Sequence, residues 1–127
     1  MDGCNGIWVN KPATADYKAV RGNTFILSFQ DYNEDNTPFD LTGYTIVAEL
    51  TNRNRSSSVP AEQLPFTCNI LDAANGIFSI TLSSDDIIRY CTYDEVYYFD
   101  VWRTIGAERV CLLQATLTLD VNYTTFA

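Results

Sequence analysis

The 127-residue chain contains no histidine. Histidine is the side chain whose unperturbed pKa lies near neutrality, and it is the commonest metal ligand in proteins. Its absence excludes nucleophilic systems of the Ser-His-Asp and Cys-His types. The sequence also lacks a glycine-rich phosphate loop with its lysine. We therefore predict a protein that is not an enzyme and that uses no cofactor.

Basic side chains are scarce as well. Eight lysine and arginine residues stand against sixteen acidic ones, and the formal net charge is −8. Because nucleic-acid binding depends on basic side chains that neutralise phosphates, we do not expect nucleic acid as a partner. No stretch approaches the roughly 18 consecutive apolar residues that span a bilayer, and the N-terminus lacks the features of a signal peptide. These absences predict a soluble, unprocessed protein without membrane insertion.

The four cysteines show no Cys-x-x-Cys spacing; they are Cys4, Cys68, Cys91 and Cys111. A zinc knuckle or a thioredoxin-type motif therefore has no support. We predict that these cysteines are reduced packing residues. A disulfide between Cys68 and Cys111 stays open as an alternative if their strands face each other. A reducing cytoplasm would oppose that bridge.

Three polar residues at alternate positions, Asp31, Asn33 and Asp35, begin like a calcium-binding loop. The rest of the EF-hand pattern is missing, because Asn36 stands where the loop needs glycine and Thr42 stands where it needs a bidentate glutamate. We predict a solvated turn here and no metal site.

Alternation of apolar and polar residues predicts strands along most of the chain. The predicted strands cover residues 17–20, 24–30, 44–52, 66–71, 77–82, 96–104 and 109–122. A single helical turn is predicted over 83–90, where hydroxyl residues precede two aspartates. About seven strands separated by turn signals predict an all-β, antiparallel β-sandwich. We assign residues 1–16 to an N-terminal arm and residues 17–127 to the domain with its C-terminal tail.

The same alternation predicts which strand faces are buried. These faces contain Phe25, Leu27 and Phe29; Tyr44, Ile46, Ala48 and Leu50; Tyr97, Phe99 and Val101; and Cys111, Leu113, Ala115, Leu117, Leu119 and Val121. Tyr98 and Trp102 fall on the opposite face of their strand. They are candidates either for contact with a protein partner or for a platform that stacks sugar rings.

Aromatic and apolar side chains also occur near both termini. Ile7, Trp8 and Val9 form an isolated apolar patch in the arm, and Tyr123 and Phe126 lie in the tail. Aromatic anchors concentrate binding energy, so these residues are candidates for contacts with a neighbouring subunit. The alternative for Trp8 is that it folds back onto its own domain.

Three segments carry a family resemblance: RGNTFILSF (residues 21–29), PFDLTGYTIVAEL (residues 38–50) and NGIFSITL (residues 75–82). In this order they resemble the immunoglobulin-like domain of phage upper baseplate proteins, a small module that recurs in other phage virion proteins. The resemblance implies an immunoglobulin-like sandwich and a non-enzymatic docking or adaptor role in the tail, baseplate or neck. It also implies synthesis in the host cytoplasm, a place in the virion in several symmetric copies, and other virion proteins as partners.

Two alternatives stay open for a chain that ends after one such domain. One is a decoration protein that cements a capsid across its subunit junctions. The other is a carbohydrate-binding module that recognises a glycan on the host surface, for which the aromatic residues around Tyr98 and Trp102 would supply the contact.

Overall fold

The computed structural model describes residues 13–51, 63–90 and 96–120, with the side chains of Tyr90 and Asp120 excepted. Eight strands and one helix are found in these residues. In chain order they are β1 (Ala13–Val20), β2 (Phe25–Gln30), β3 (Thr45–Thr51), β4 (Gln63–Pro65), β5 (Thr67–Asp72), β6 (Ile77–Leu82), α1 (Ser84–Tyr90), β7 (Val96–Ile105) and β8 (Glu108–Asp120).

The strands form two sheets. One has five strands in the order β1-β8-β7-β3-β4, and the other has three in the order β2-β6-β5. In an immunoglobulin domain the third, sixth and seventh strands (C, F and G) share a sheet, and the second, fourth and fifth (B, D and E) lie in the other. With β4 added as an extra strand beside β3, the order observed here follows that arrangement. The predicted immunoglobulin-like sandwich is confirmed.

Three details differ from the prediction. The sandwich is not antiparallel throughout, because β1 runs parallel to β8, with Ala13 beside Leu113 and Val20 beside Asp120. Strand β1 also begins at Ala13, inside the predicted arm of residues 1–16, where small alanines make the alternation weak. Strand β4 was not predicted because it has only three residues and ends in a proline, a residue that strands disfavour.

The core lies between the two sheets, and Phe99 of β7 stands near its centre with only 1% of its surface exposed. Its ring centroid lies 5.0 Å from that of Phe66, 6.0 Å from that of Tyr17 and 6.5 Å from that of Phe25. Other fully buried side chains come from strands of both sheets and from the segments between them: Leu41, Leu50, Phe78, Ile80, Leu82, Ile87, Val101, Leu117 and Leu119. The predicted buried faces of β2, β3 and β7 are confirmed.

Helix α1 is the predicted helical turn. The side-chain oxygen of Ser83 accepts a hydrogen bond from the backbone N–H of Asp86 at 3.1 Å, which caps the first turn. Asp85 and Asp86 lie at the helix N-terminus and Arg89 in the last turn, where their charges oppose the helix dipole. Ile87 is completely buried, so the helix is anchored to the core through one apolar side chain.

Candidate partner-binding face

Tyr98 and Trp102 of β7, the two aromatic residues predicted to face away from the core, both lie on the outer face of the five-stranded sheet. Residues directly opposite each other on antiparallel strands share a face. Tyr98 lies opposite Thr51 of β3 and Thr116 of β8, whereas Trp102 lies opposite Val47 and Cys111. The residues between them along β7, Phe99 and Val101, point into the core. The structure therefore places Tyr98 and Trp102 on the side of the sheet that faces away from the core, as the alternation predicted.

A β-bulge in β8 changes the position of Cys111. The β7–β8 register shifts between Val101 and Trp102, so that Val101 pairs with Leu113 and Trp102 pairs with Cys111, which leaves Leu112 as the extra residue. Cys111 is 6% exposed, yet it does not belong to the core cluster that contains Leu113. The prediction that Cys111 shares the core face of Leu113 is therefore wrong, because one inserted residue reverses the face.

The oxidation state of the cysteines also differs from the prediction. Cys111 is disulfide-bonded, and its partner lies outside the described residues. Cys68 carries a free thiol, and burial raises the pKa of that thiol. The prediction of a reduced cysteine is thus wrong for Cys111, and so is the alternative pairing of Cys68 with Cys111. The two residues belong to different sheets, and Cys68 packs against the core whereas Cys111 lies on the outer side.

We name the accessible corner of this face the Trp102 patch; it consists of Thr45, Val47, Trp102, Thr104 and Arg109. The guanidinium carbon of Arg109 lies 4.3 Å from the centroid of the Trp102 ring. Such a cation–π contact contributes about 0.5–1 kcal/mol at an exposed site. Beside it, Val47 is one of the few large apolar side chains of the described residues that are exposed. The patch thus combines an aromatic ring, an arginine and an aliphatic side chain on one sheet face.

Tyr98 does not join the Trp102 patch. Tyr98 lies four residue steps before Trp102 on an extended strand, which corresponds to about 13 Å. Between them lies Asp100, which is buried although it points away from the core, and Thr51 opposite Tyr98 is buried too. The two predicted aromatic residues therefore share a face but do not form one continuous platform.

The polar turn that begins like a calcium loop uses its oxygen atoms internally. The Asp31 carboxylate forms an ion pair with Arg103, and Asp35 accepts hydrogen bonds from the backbone N–H and the hydroxyl of Thr37 at 3.1 Å and 2.6 Å. Asn33 donates its side-chain N–H groups to the Thr37 hydroxyl and the Pro38 carbonyl. Within the described residues, no group of three or more Cys, Asp or Glu side chains is arranged to hold a metal ion.

Arg103 forms a structural cluster that the sequence did not reveal. Its guanidinium carbon lies 3.7 Å from the ring centroid of Phe39, and Phe39 packs edge-on against Tyr44 with ring centroids 5.3 Å apart. The Asp31 carboxylate completes the cluster from the loop after β2. Asp31 and Arg103 are 72 residues apart in the chain, so only the folded topology brings them together.

Two carboxylates of this region supply a pH dependence that can be measured. The hydroxyl and backbone N–H of Thr42 donate to Asp40 at 2.6 Å and 2.9 Å, and these hydrogen bonds hold the pKa of Asp40 below its ordinary value of 3.8. The pKa of Asp35 is lowered in the same way by Thr37. Because each carboxyl has a lower pKa in the folded state, each stabilises the fold above the unfolded pKa, and that stability disappears as the pH falls through the folded pKa.

We expect Thr42→Val to destabilise the protein slightly at neutral pH and to have less effect at an acidic pH below the lowered pKa of Asp40, where the carboxyl is protonated. Urea unfolding at both pH values measures this difference. Thr42→Ser is the matched control, since it keeps the hydroxyl donor and should behave like the original protein. An equal loss of stability at both pH values would contradict the role given to this hydrogen bond.

The candidate contacts near the termini, Ile7, Trp8, Val9, Tyr123 and Phe126, lie outside the described residues. So do the arm up to residue 12 and the tail from residue 121. Within the described residues, no helix has both the length and the apolar character needed to cross a membrane.

Comparison with known proteins adds no family assignment. No protein-family model matches the chain, and no curated protein matches it significantly.

Proposed function

We propose that this chain is a non-enzymatic structural module of a phage virion, and that it docks to other virion proteins through the Trp102 patch. The support for the virion role is the resemblance carried by residues 21–29, 38–50 and 75–82. In the folded chain these segments are the turn and strand of β2, the turn and strand of β3, and β6.

Strand pairing links the first segment to the third directly, with Phe25 opposite Leu82 and Phe29 opposite Phe78. Asp31, two residues after the first segment, connects the other two: its N–H donates to the carbonyl of Gly76 at 2.8 Å, and its carbonyl accepts a hydrogen bond from the N–H of Phe39 at 2.9 Å. The N–H of Leu41 donates to the carbonyl of Ala73 at 2.8 Å. The resemblance therefore concerns residues that contact one another in space, which makes it more informative than three unrelated short similarities.

The observation that carries the docking role is the composition of the Trp102 patch. Tryptophan and arginine are enriched among the residues that dominate binding energy at protein interfaces. Aspartate and glutamate are depleted at interfaces. In a chain of net charge −8, the patch contains an arginine and no carboxylate. This composition favours a protein as the binding partner, because the patch offers an aromatic residue, an aliphatic residue and a cation on one sheet face.

The carbohydrate-binding alternative is less well supported by the same residues. A sugar platform needs an aromatic ring with a free face, and the Arg109 guanidinium lies over the ring of Trp102. The buried residues between Tyr98 and Trp102 also divide the aromatic surface. These two observations favour a protein as the partner. The proposed place in the tail, baseplate or neck, in several symmetric copies, is supported by the resemblance alone.

Incorporation into virions tests this proposal. A phage that lacks the gene is grown in cells that supply the chain in trans, and the chain is quantified by immunoblot in purified particles. We expect Trp102→Ala to reduce incorporation strongly, since truncation of a binding hot spot costs about 2 kcal/mol or more, or about 30-fold in affinity. Arg109→Ala should have a smaller effect in the same direction.

The control is Ile88→Ala, which truncates an apolar side chain that is exposed on α1 and does not belong to the patch. It should leave incorporation unchanged. Thermal unfolding of each purified variant shows whether the fold is intact. Normal incorporation of a folded Trp102→Ala variant would contradict the docking role of the patch, and absence of the original protein from particles would contradict the virion role itself.

A further inference from the structure

The position of Cys111 in the fold limits which cysteine can be its disulfide partner. Cys111 is disulfide-bonded, and Cys68 carries a free thiol. The remaining cysteines of the chain are Cys4 and Cys91, and both lie outside the described residues. Each is close in sequence to a described strand or helix, so the position of that element limits the region that the cysteine can reach.

The strand that follows Cys91 begins at the end of the sheet remote from Cys111. Cys91 precedes Val96, the first residue of β7, by five residues. Val96 lies opposite Thr118. Cys111 lies opposite Trp102, six residue steps further along β7, which corresponds to about 20 Å. Five residues span at most about 18 Å, so only a fully extended segment that doubled back along the sheet would approach Cys111.

The helix that precedes Cys91 excludes such a path. Helix α1 begins just after β6, which ends opposite Phe25. The ring of Phe25 lies 6.2 Å from that of Tyr17, and Tyr17 is level with the second residue of β7 through the pairing of β1 with β8. The helix therefore begins at the same remote end, where the buried Ile87 anchors it. A helix of seven residues is about 10 Å long, which is too short to carry Cys91 to the end where Cys111 lies.

Cys4, in contrast, precedes a strand that begins beside Cys111. Strand β1 begins at Ala13, which pairs with Leu113, two residues after Cys111 on β8. Because β1 and β8 are parallel, the chain before Ala13 comes from the side of the sheet where Cys111 lies. With strands about 4.8 Å apart and about 3.3 Å per residue, the Cα atoms of Ala13 and Cys111 are about 8 Å apart. The nine residue steps from Cys4 to Ala13 are long enough to bridge this distance.

The burial of Cys111 indicates that a further segment covers it. Cys111 lies outside the core cluster, yet only 6% of its surface is exposed. On one side it is flanked by β7, through Trp102. On the other side, within the described residues, no strand is level with it, because β1 begins at Ala13 beside Leu113. The residues that directly precede Ala13 in the chain are the nearest ones that can cover this side.

We infer that Cys4 is the partner of Cys111, and that this disulfide holds residues 1–12 at the outer face of the five-stranded sheet, beside the Trp102 patch. Since Cys111 lies opposite Trp102, the bond brings Cys4 next to the patch. The apolar residues 7–9 follow Cys4 by three to five positions and are confined to within about 18 Å of the bond. A partner that docks at the patch then meets residues 7–9 as well; this consequence rests on the proposed function, whereas the disulfide does not.

The purified chain is examined after oxidation by a disulfide of low molecular weight. As the S–S bond forms, the thiols of Cys4 and Cys111 lose two protons and two electrons, and one molecule of oxidised glutathione takes them up to become two glutathione thiols. The remaining thiols are then blocked with N-ethylmaleimide in denaturant, because a free thiolate would exchange with the bond.

Peptide mapping identifies the bonded pair, because trypsin places the four cysteines on four different peptides. Trypsin cleaves after lysine and arginine except before proline, so the cysteine peptides are residues 1–18, 56–89, 90–103 and 110–127. We expect mass spectrometry of the unreduced digest to show 1–18 joined to 110–127, and reduction to separate them. A link between 90–103 and 110–127, or an unlinked 110–127 with a blocked thiol, would overturn the inference. The map uses the purified chain alone, so its failure is distinct from a failure of the proposed virion role.

Thermal unfolding tests whether the bond constrains the fold. The bond closes a loop of about a hundred residues, so Cys4→Ser should lower the midpoint temperature by roughly 10 °C. A reducing agent should lower the midpoint of the original chain to the same extent and should not change that of Cys4→Ser. Cys91→Ser is the matched control and should unfold at the original temperature. A lower midpoint for Cys91→Ser, with none for Cys4→Ser, would overturn the inference.

Discussion

Replacement of Phe99 with alanine is expected to lower the free energy of unfolding by about 3–5 kcal/mol. The side chain is almost fully buried, and its ring lies within aromatic packing distance of Tyr17, Phe25 and Phe66, which come from both sheets. The truncation removes apolar contacts between the sheets and leaves a cavity that the three neighbouring rings, on β1, on β2 and between β4 and β5, cannot fill. Since a domain of this size is stable by only about 5–15 kcal/mol, the loss is a large share of the total.

Urea unfolding followed by circular dichroism measures this effect. Val96→Ala is the matched control, because Val96 lies on the same strand and is exposed; we expect it to cost less than about 1 kcal/mol. A Phe99→Ala variant that unfolds at the same urea concentration as the Val96→Ala variant would contradict the central packing position of Phe99.

Gly76→Ala is expected to cost about 3 kcal/mol or more, although it adds a single methyl group. Gly76 has a φ of +70°, which L side chains rarely adopt. A Cβ atom there would lie 2.6 Å from the carbonyl oxygen of Phe39 and 2.7 Å from that of Asp31. Both obstacles are backbone atoms, so the methyl group would force apart the hydrogen-bonded turn that joins the β2, β3 and β6 segments.

The variant Gly106→Ala is the control that separates the two contributions expected at Gly76, steric clash and backbone strain. Gly106 also has a positive φ, of +55°, but no atom lies within 4 Å of the position that its Cβ would occupy. We expect it to cost about 1 kcal/mol, from strain alone. Equal thermal stability of the two variants would contradict the close contact of Gly76 with Phe39 and Asp31.

Much of the fold could be predicted because local patterns decide it. The alternation in β2, β3 and β7 correctly predicted which side chains are buried, since a half-buried strand must present one face to the core. The hydroxyl and acidic residues before Ile87 correctly predicted a short helix. Tyr98 and Trp102 were correctly placed on the outer face by the same period-two argument.

The features that were missed depend on contacts between distant parts of the chain. The bulge at Leu112 leaves no mark in the alternation of β8, yet it moves Cys111 to the outer face. The parallel pairing of β1 with β8 joins segments about a hundred residues apart, and it is supported by a hydrogen bond of 2.6 Å from the Thr116 hydroxyl to Asp16. The ion pair of Asp31 with Arg103 likewise could not be predicted from the sequence, because the two residues are 72 positions apart in the chain.

The Trp102 patch could be predicted only in part. The sequence identified Trp102 as outward-facing, but Arg109 was predicted merely as the start of the next strand. Its place over the indole ring follows from the β7–β8 pairing, in which Arg109 lies opposite Thr104, two residues beyond Trp102. That hairpin register is what places an arginine beside the half-buried indole ring of Trp102.

The most direct test of the proposed virion role is the location of the chain on phage particles. An antibody raised against the purified protein is applied to virions, and gold-labelled second antibody is imaged by electron microscopy. We expect label at the tail, baseplate or neck. Uniform label over the head would indicate a capsid decoration protein instead, and the absence of label from particles that were opened to expose internal epitopes would contradict a structural role in the virion.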